Sequence, residues 1–181
     1  MRPSKCHTSL FMIAVGRTIR HEGGARYTKI VGDAGGETKY GISKRAHPKV
    51  NIKALTKDEA IQIYWVKYWL PVYEQMWSDV VACKVFDLHV VMGKYQAHKC
   101  IQLALRACGH RVVSDGVIGP KTLKAVKIAL DQPLNAPVYL GDSTALLAGI
   151  RSEAYGRFRE IAAANPVQKK FLRGWMNRAY L

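Results

Sequence analysis

The sequence predicts a mainly helical fold with one small β-hairpin, and three observations carry that prediction. Apolar residues recur at helical spacing over most of the 181 positions. Residues 25–45 lack that period and are punctuated by glycine instead. With 49% hydrophobic and 23% charged residues, the chain has the composition of an ordinary globular protein, neither a disordered tail nor a membrane protein. At this length one domain, with or without two lobes, is the default.

The elements follow in order. Leu10, Ile13, Ala14 and Ile19 predict a helix over residues 8–21, capped by Thr8 or Ser9 and ended by Gly23-Gly24, which puts Glu22 at a helix C-terminus. Short β-prone pieces at 27–31 and 38–42, among Gly32, Gly35, Gly36 and Gly41, predict an irregular hairpin. Thr56 and Glu59 form a capping box, after which Ile61, Tyr64, Trp65, Tyr68 and Trp69 share one helical face until Pro71. A long helical stretch over 82–108 divides near Gly93, with Val85, Phe86, Val90, Ala97, Ile101, Ala104 and Leu105 inward. Pro120 opens a helix through Leu130, Ser143 is placed to cap another over 144–164, and Asn165-Pro166 separates that from a last helix over 167–179.

The formal charge is +15, and the basic residues are spread along the chain rather than gathered in an arm. Such a surface seeks polyanions: nucleic acid, anionic membrane, or a bacterial envelope rich in phosphate and carboxylate. Cys6, Cys83, Cys100 and Cys108 form no CxxC pair and no zinc spacing, so reduced thiols and no metal are expected. The longest apolar run near the N-terminus, Leu10 to Val15, is too short for a secretory core or a membrane span, which predicts a chain made in the cytoplasm.

The densest polar and glycine cluster is His21-Glu22-Gly23-Gly24 followed by Asp33-Ala34-Gly35-Gly36-Glu37-Thr38-Lys39-Tyr40-Gly41-Ile42. A carboxylate at a helix end, then a glycine-rich hairpin with a second carboxylate and a threonine, can wall a cleft for glycosidic cleavage. There one carboxylic acid protonates the leaving oxygen while a second group serves the oxocarbenium face or activates water. The negative end of its helix disfavours the ionised form of Glu22, as a general acid requires. Taken by themselves, these residues are equally compatible with turn-making glycines and solvated loop acids.

Longer motifs decide between those readings. Glu22-Gly23-Gly24, Asp33-x-Gly35-Gly36-x-Thr38-x-Tyr40-Gly41-Ile42-Ser43, Tyr64, Tyr68-Trp69, Pro71 and Phe86-Asp87 run through the first half. Gln102, Leu105, Asp115-Gly116-x-x-Gly119-Pro120-x-Thr122-Leu123, Asn165-Pro166-x-Gln168, Phe171 and Gly174-Trp175-x-Asn177-Arg178 run through the second. In order and spacing this series resembles glycoside hydrolase family 108, the lysozyme-like N-acetylmuramidases of phage endolysins and related bacterial proteins. The resemblance implies a lysozyme-like helical fold with the hairpin next to the catalytic glutamate, Glu22. By analogy with phage lysozymes, Asp33 and Thr38 complete the catalytic set, and Tyr40 and Gly41 beside them are the candidate substrate contacts. One departure is Val91, where the family usually has an asparagine before the glycine matching Gly93.

The implied organisation is one two-lobed unit, a catalytic lobe over 1–92 and a helical lobe over 93–181 that resembles a peptidoglycan-binding module. The implied activity is hydrolysis of the β-1,4 bond between N-acetylmuramic acid and N-acetylglucosamine, without cofactor, by a monomer that stays in the host cytoplasm until it is released to the wall. Its partner is peptidoglycan, with anionic lipopolysaccharide as a second surface and no specific nucleic acid. The alternatives are a lytic transglycosylase on the same bond and a non-catalytic polyanion-binding protein.

Other features read as structure. Aromatic residues at helical spacing, Tyr64 to Trp69, are expected in the core. Asp87 in an apolar helix calls for an arginine partner. The six histidines show no catalytic pattern. The last helix, with Lys169, Lys170, Arg173 and Arg178, is expected to show a solvated basic face over an apolar Phe171, Leu172, Trp175 and Ala179.

Overall fold

In a computed structural model, residues 7–29, 36–131 and 144–180 are described. They fall into two compact units, Met1–Trp69 and Leu70–Leu181.

The first unit opens with α1, Ser9–His21. Thr8 caps it, its hydroxyl accepting from the Phe11 N–H at 3.1 Å, and Phe11, Ala14, Val15, Thr18 and Ile19 form its buried face. Two glycines at positive φ, Gly23 at 86° and Gly24 at 64°, end it. The Gly24 N–H reaches back to the Ile19 carbonyl at 2.9 Å and the Gly23 N–H to Arg20 at 3.2 Å, the paired bonds of a Schellman motif. Glu22 is thereby fixed as the C-cap residue.

The glycine-rich region forms an antiparallel sheet of three strands in the order β1, Thr28–Lys29; β2, Glu37–Lys39; β3, Ile42–Ser43. Thr38 pairs with Thr28 on one side and Ser43 on the other. The third strand is a finding beyond the expected hairpin. The stretch 38–42, read as one strand, reverses at Tyr40 and Gly41, whose φ values of 53° and 77° are those of a two-residue primed turn. A tyrosine in the first left-handed position gives no turn signal.

Helix α2, Lys57–Lys67, starts at the capping box: the Thr56 hydroxyl accepts from Glu59 N–H at 3.2 Å and Glu59 accepts from Thr56 N–H at 2.8 Å. It ends at Lys67, before the expected Pro71, with Tyr68 as C-cap. Tyr64 and Trp69 are core, and Phe11 meets Trp65 and Trp69 edge-on at 4.9 and 5.3 Å between ring centroids.

The second unit begins with a 3-10 helix, Pro71–Gln75, followed by α3, Asp79–Met92, and α4, Lys94–Ala107, divided at Gly93 with φ 85°. Then come α5, Pro120–Asp131; α6, Thr144–Ala164; a 3-10 turn, Pro166–Phe171; and α7, Leu172–Tyr180. The expected Ser143 cap lies outside the described residues. Helix α4 packs on α3, α5 and α6, and α6 also packs on α7. A side chain at Gly149 would meet Ala104 Cβ at 3.0 Å, so glycine there permits the close approach of α6 to α4.

Asp87 is buried in α3 and takes a two-pronged ion pair from Arg178, Nε to Oδ2 at 2.9 Å and Nη2 to Oδ1 at 2.8 Å. Lys84, one turn away, donates to the Arg178 carbonyl at 2.6 Å; burial pulls its pKa down to about 8, against the opposing pull of Asp87. Arg178 therefore does not belong to a solvated basic face, as the sequence suggested: α7 spends its last arginine on the core. Val90, expected inward, is half-buried, as is Val91. No helix among the described residues is long and apolar enough to cross a membrane.

Candidate active site

The Schellman ending of α1 holds Glu22 half-exposed, one residue past the helix. The β2–β3 turn sits directly on it. A Cβ at Gly41 would lie 2.6 Å from Glu22 Cγ and 2.9 Å from Glu22 Cβ, and nearer still to the Tyr64 hydroxyl. Gly41 thus meets two demands that no other residue satisfies, a left-handed backbone and no side chain where the glutamate passes.

Two hydrogen bonds secure the turn. The Tyr40 N–H donates to the Gly24 carbonyl at 3.1 Å, tying the turn to the Glu-Gly-Gly segment, and the buried Tyr64 hydroxyl donates to the Tyr40 carbonyl at 3.0 Å. Tyr40 is half-buried, with the Lys39 ammonium 5.4 Å from its ring centroid. The register carries Thr38 in the centre of the three strands, two residues before this turn. The structure thus brings Glu22, Tyr40 and Gly41 together and places Thr38 on the adjoining strand. Asp33 lies outside the described residues.

Two neighbours of Glu22 were not singled out as site residues by the sequence. Tyr64 and Tyr68 read as core aromatics, and Tyr64 is core, yet its hydroxyl holds the turn; the usable signal is tyrosine rather than phenylalanine at a buried position. Tyr68 is half-buried and its pKa is raised, first by burial and then by the negative charge of Glu22. The Tyr68 hydroxyl lies 3.4 Å from His47 Nε2, and His47 is held below its ordinary pKa by burial and by Lys67. Aromatic and imidazole groups therefore back the carboxylate from α2 and from the segment before it.

A second polar cluster, in the other unit, was also unforeseen. Tyr73 is buried between two histidines, its hydroxyl 2.9 Å from His89 Nδ1 and 3.1 Å from His98 Nε2. His98 Nδ1 faces the Gly116 carbonyl at 3.0 Å, so it carries the proton and Nε2 accepts from Tyr73. Burial lowers the His98 pKa. These residues come from three separate elements, and no local spacing announces them. Among the described residues no group of three or more His, Cys, Asp or Glu is placed to hold a metal ion.

The Asp115 segment is a clamped loop. Gln102, buried in α4, donates to Asp115 Oδ1 at 2.7 Å and to the Val117 carbonyl at 3.0 Å, and accepts from the Gly116 N–H at 2.8 Å. Asp115 Oδ1 also takes the Val117 N–H at 2.9 Å, and these bonds hold its carboxyl below the usual carboxylate pKa.

Comparison with known proteins divides the chain at a different point from the two compact units. Residues 15–93 match the family described as Glycosyl hydrolase 108, and residues 96–180 match a Predicted Peptidoglycan domain. Among solved structures, SagA of Brucella abortus is similar at 25% identity and a TM-score of 0.63, over 94% of this chain and 89% of that one. No curated protein matches. With the lysozyme-like helical fold and the small sheet beside Glu22, the two matched segments make the chain a glycoside hydrolase that acts on peptidoglycan, its residues 15–93 being similar to the Glycosyl hydrolase 108 family.

Proposed function

We propose that the enzyme is an N-acetylmuramidase of the endolysin kind, hydrolysing the β-1,4 bond between N-acetylmuramic acid and N-acetylglucosamine with Glu22 as general acid. The observation that carries this reading is the Tyr40-Gly41 turn seated on the Glu22 side chain, which joins the glutamate to the strand bearing Thr38. Glu22 protonates the glycosidic oxygen as the bond to the muramic acid C1 breaks. Asp33 stabilises the oxocarbenium-like transition state or takes the proton of the incoming water, and the Thr38 hydroxyl orients that water. Tyr40 and Gly41 line the approach of the glycan.

In this reading the enzyme acts as a monomer on a wall reached after release from the cell that makes it, causing lysis. Its charge of +15 draws it to anionic wall polymers and lipopolysaccharide.

The test is the chemistry of the new ends. Purified peptidoglycan digested by the enzyme should yield fragments ending in reducing N-acetylmuramic acid, identified by mass spectrometry after borohydride reduction. Anhydromuramic ends would instead make the enzyme a lytic transglycosylase, and reducing N-acetylglucosamine ends would move the cut to the other glycosidic bond.

A further inference from the structure

Outside the Glu22 site, the second unit carries a groove of about 610 Å³ lined by Glu74, Gln75, Trp77, Leu123, Lys124 and Lys127, with Pro120 at the helix start. Its centre is Trp77, which is 66% exposed. Tryptophan is on average among the more buried residues, so a ring left this open is informative. Its backbone is more so: φ is 58°, a left-handed conformation that a bulky residue adopts only at a cost.

The chain on both sides is fixed. Met76 is buried and its N–H bonds to the Tyr73 carbonyl at 3.4 Å, while Ser78 caps α3 by accepting from Val81 N–H at 3.4 Å. Glycine would fit between these anchors without strain, and tryptophan occupies the position and turns its ring outward.

Helix α5 forms the facing wall. Pro120, Leu123, Lys124 and Lys127 follow the i, i+3, i+4, i+7 spacing of a single helical face. Lys127 Nζ stands 4.8 Å from the Trp77 ring centroid. Leu123 adds an apolar side chain to the lining, and Glu74 and Gln75 add polar ones.

We propose that this groove is a second peptidoglycan-binding site, made of residues other than the proposed hydrolytic ones, in which the apolar face of a sugar ring stacks on Trp77 and stem-peptide carboxylates pair with Lys124 and Lys127. Charge complementarity and the aromatic platform favour this occupant. The lysines match the carboxylates that cross the wall polymer at regular intervals, and an indole beside acceptors and ammonium groups matches a ring with C–H faces and hydroxyl edges. The α5 wall lies inside the segment that matches the peptidoglycan domain, and Trp77 lies inside the glycosyl hydrolase segment, so the groove is built from both. The site rests on peptidoglycan being the substrate and does not depend on which bond is cut.

The test is co-sedimentation with purified sacculi on ice, in which dissociation constants of the wild type, Trp77→Gly, Trp77→Phe and the double variant Lys124→Ala/Lys127→Ala are compared. Trp77→Gly should weaken binding tenfold or more while the melting temperature stays the same or rises, because the substitution relieves the backbone. Trp77→Phe should keep most of the binding. The double variant should lose affinity for intact sacculi and match wild type on sacculi stripped of stem peptides by an amidase. All variants should turn over a short soluble glycan at the wild-type rate.

Unchanged sacculus binding by Trp77→Gly would overturn the proposal, as would a melting temperature lowered with binding intact, which would make the ring a packing element. Binding to a single-stranded oligonucleotide that falls in Trp77→Gly while sacculus binding holds would assign the groove to nucleic acid. Wild-type binding to sacculi with unexpected cleavage products would leave the groove standing and refute the bond assignment above.

Discussion

At the Tyr40-Gly41 turn and at the Asp115-Gly116 loop, the chain uses the same devices. Each has a glycine at positive φ, 77° and 73°, pressed against a tyrosine, Tyr64 in one case and Tyr95 in the other. Each is held by a polar side chain from a helix, the Tyr64 hydroxyl on the Tyr40 carbonyl and the Gln102 amide on Gly116 and Val117. They differ in what happens to the acid. Asp115 is bound by Gln102 and by its own loop, and its carboxylate is spent on holding that loop closed. Glu22 stays half-exposed beneath its turn, and its charge is felt by Tyr68. What a glycine-rich motif does with its carboxylate thus depends on the elements packed around it, which the motif itself does not say.

The largest expected effect is at Gly41. Gly41→Ala adds a left-handed penalty of ~1–2 kcal/mol to the displacement of Glu22 and Tyr64. Stability should drop by about 3 kcal/mol in urea unfolding, and kcat should fall ~100-fold because the displaced side chain is the proposed acid. A stable, fully active Gly41→Ala would separate the turn from the chemistry.

Gln102→Ala should follow, with ~2 kcal/mol lost as the Gly116 N–H and Val117 carbonyl lose their buried partner. Turnover per folded molecule should be unchanged; a change would give the Asp115 loop a part in the reaction. Gly116→Ala should cost about as much, ~1–2 kcal/mol from the left-handed backbone, because its Cβ would meet the exposed Tyr95 ring, which can move, and the Tyr95 carbonyl at 3.1 Å, which has little room to.

The smallest effect is a pH dependence confined to the second unit. The folded-state pKa of His98 lies below its ordinary 6.5, so the unfolded chain binds more protons in that interval. The His98 contribution is fully present above pH 6.5 and is lost as pH falls toward the folded value. Between pH 7 and pH 5 the melting temperature of the wild type should fall more than that of His98→Gln, and parallel slopes would show that the Tyr73 cluster does not titrate.

Much of the fold is legible in residues that act locally. Thr56 with Glu59 starts α2, Gly23-Gly24 ends α1 at Glu22, Gly93 divides α3 from α4, and Pro120 opens α5. The need of Asp87 for an arginine is legible too, because a buried carboxylate in an apolar helix leaves few options, but its identity is not: Arg178 sits 91 residues away and reads as part of a basic face. Long-range pairing also hides Tyr73, His89 and His98. The third strand is hidden by the unusual backbone of Tyr40, and the exposure of Trp77 by a backbone angle that sequence does not encode. At the candidate site, the place of Glu22 at the end of α1 is legible from Gly23-Gly24, whereas the positions of Tyr64, Tyr68 and His47 depend on how α2 packs.

The contrast between the two carboxylates is tested most directly by measuring peptidoglycan turnover and melting temperature for Glu22→Gln and Asp115→Ala side by side. Glu22→Gln should lose ~100-fold or more in kcat, the scale of a lost general acid, and keep its melting temperature. Asp115→Ala should keep kcat and melt several degrees lower, because the bonds that close its loop are lost. A Glu22→Gln enzyme that degrades peptidoglycan at the wild-type rate would contradict the assignment of Glu22 as the acid.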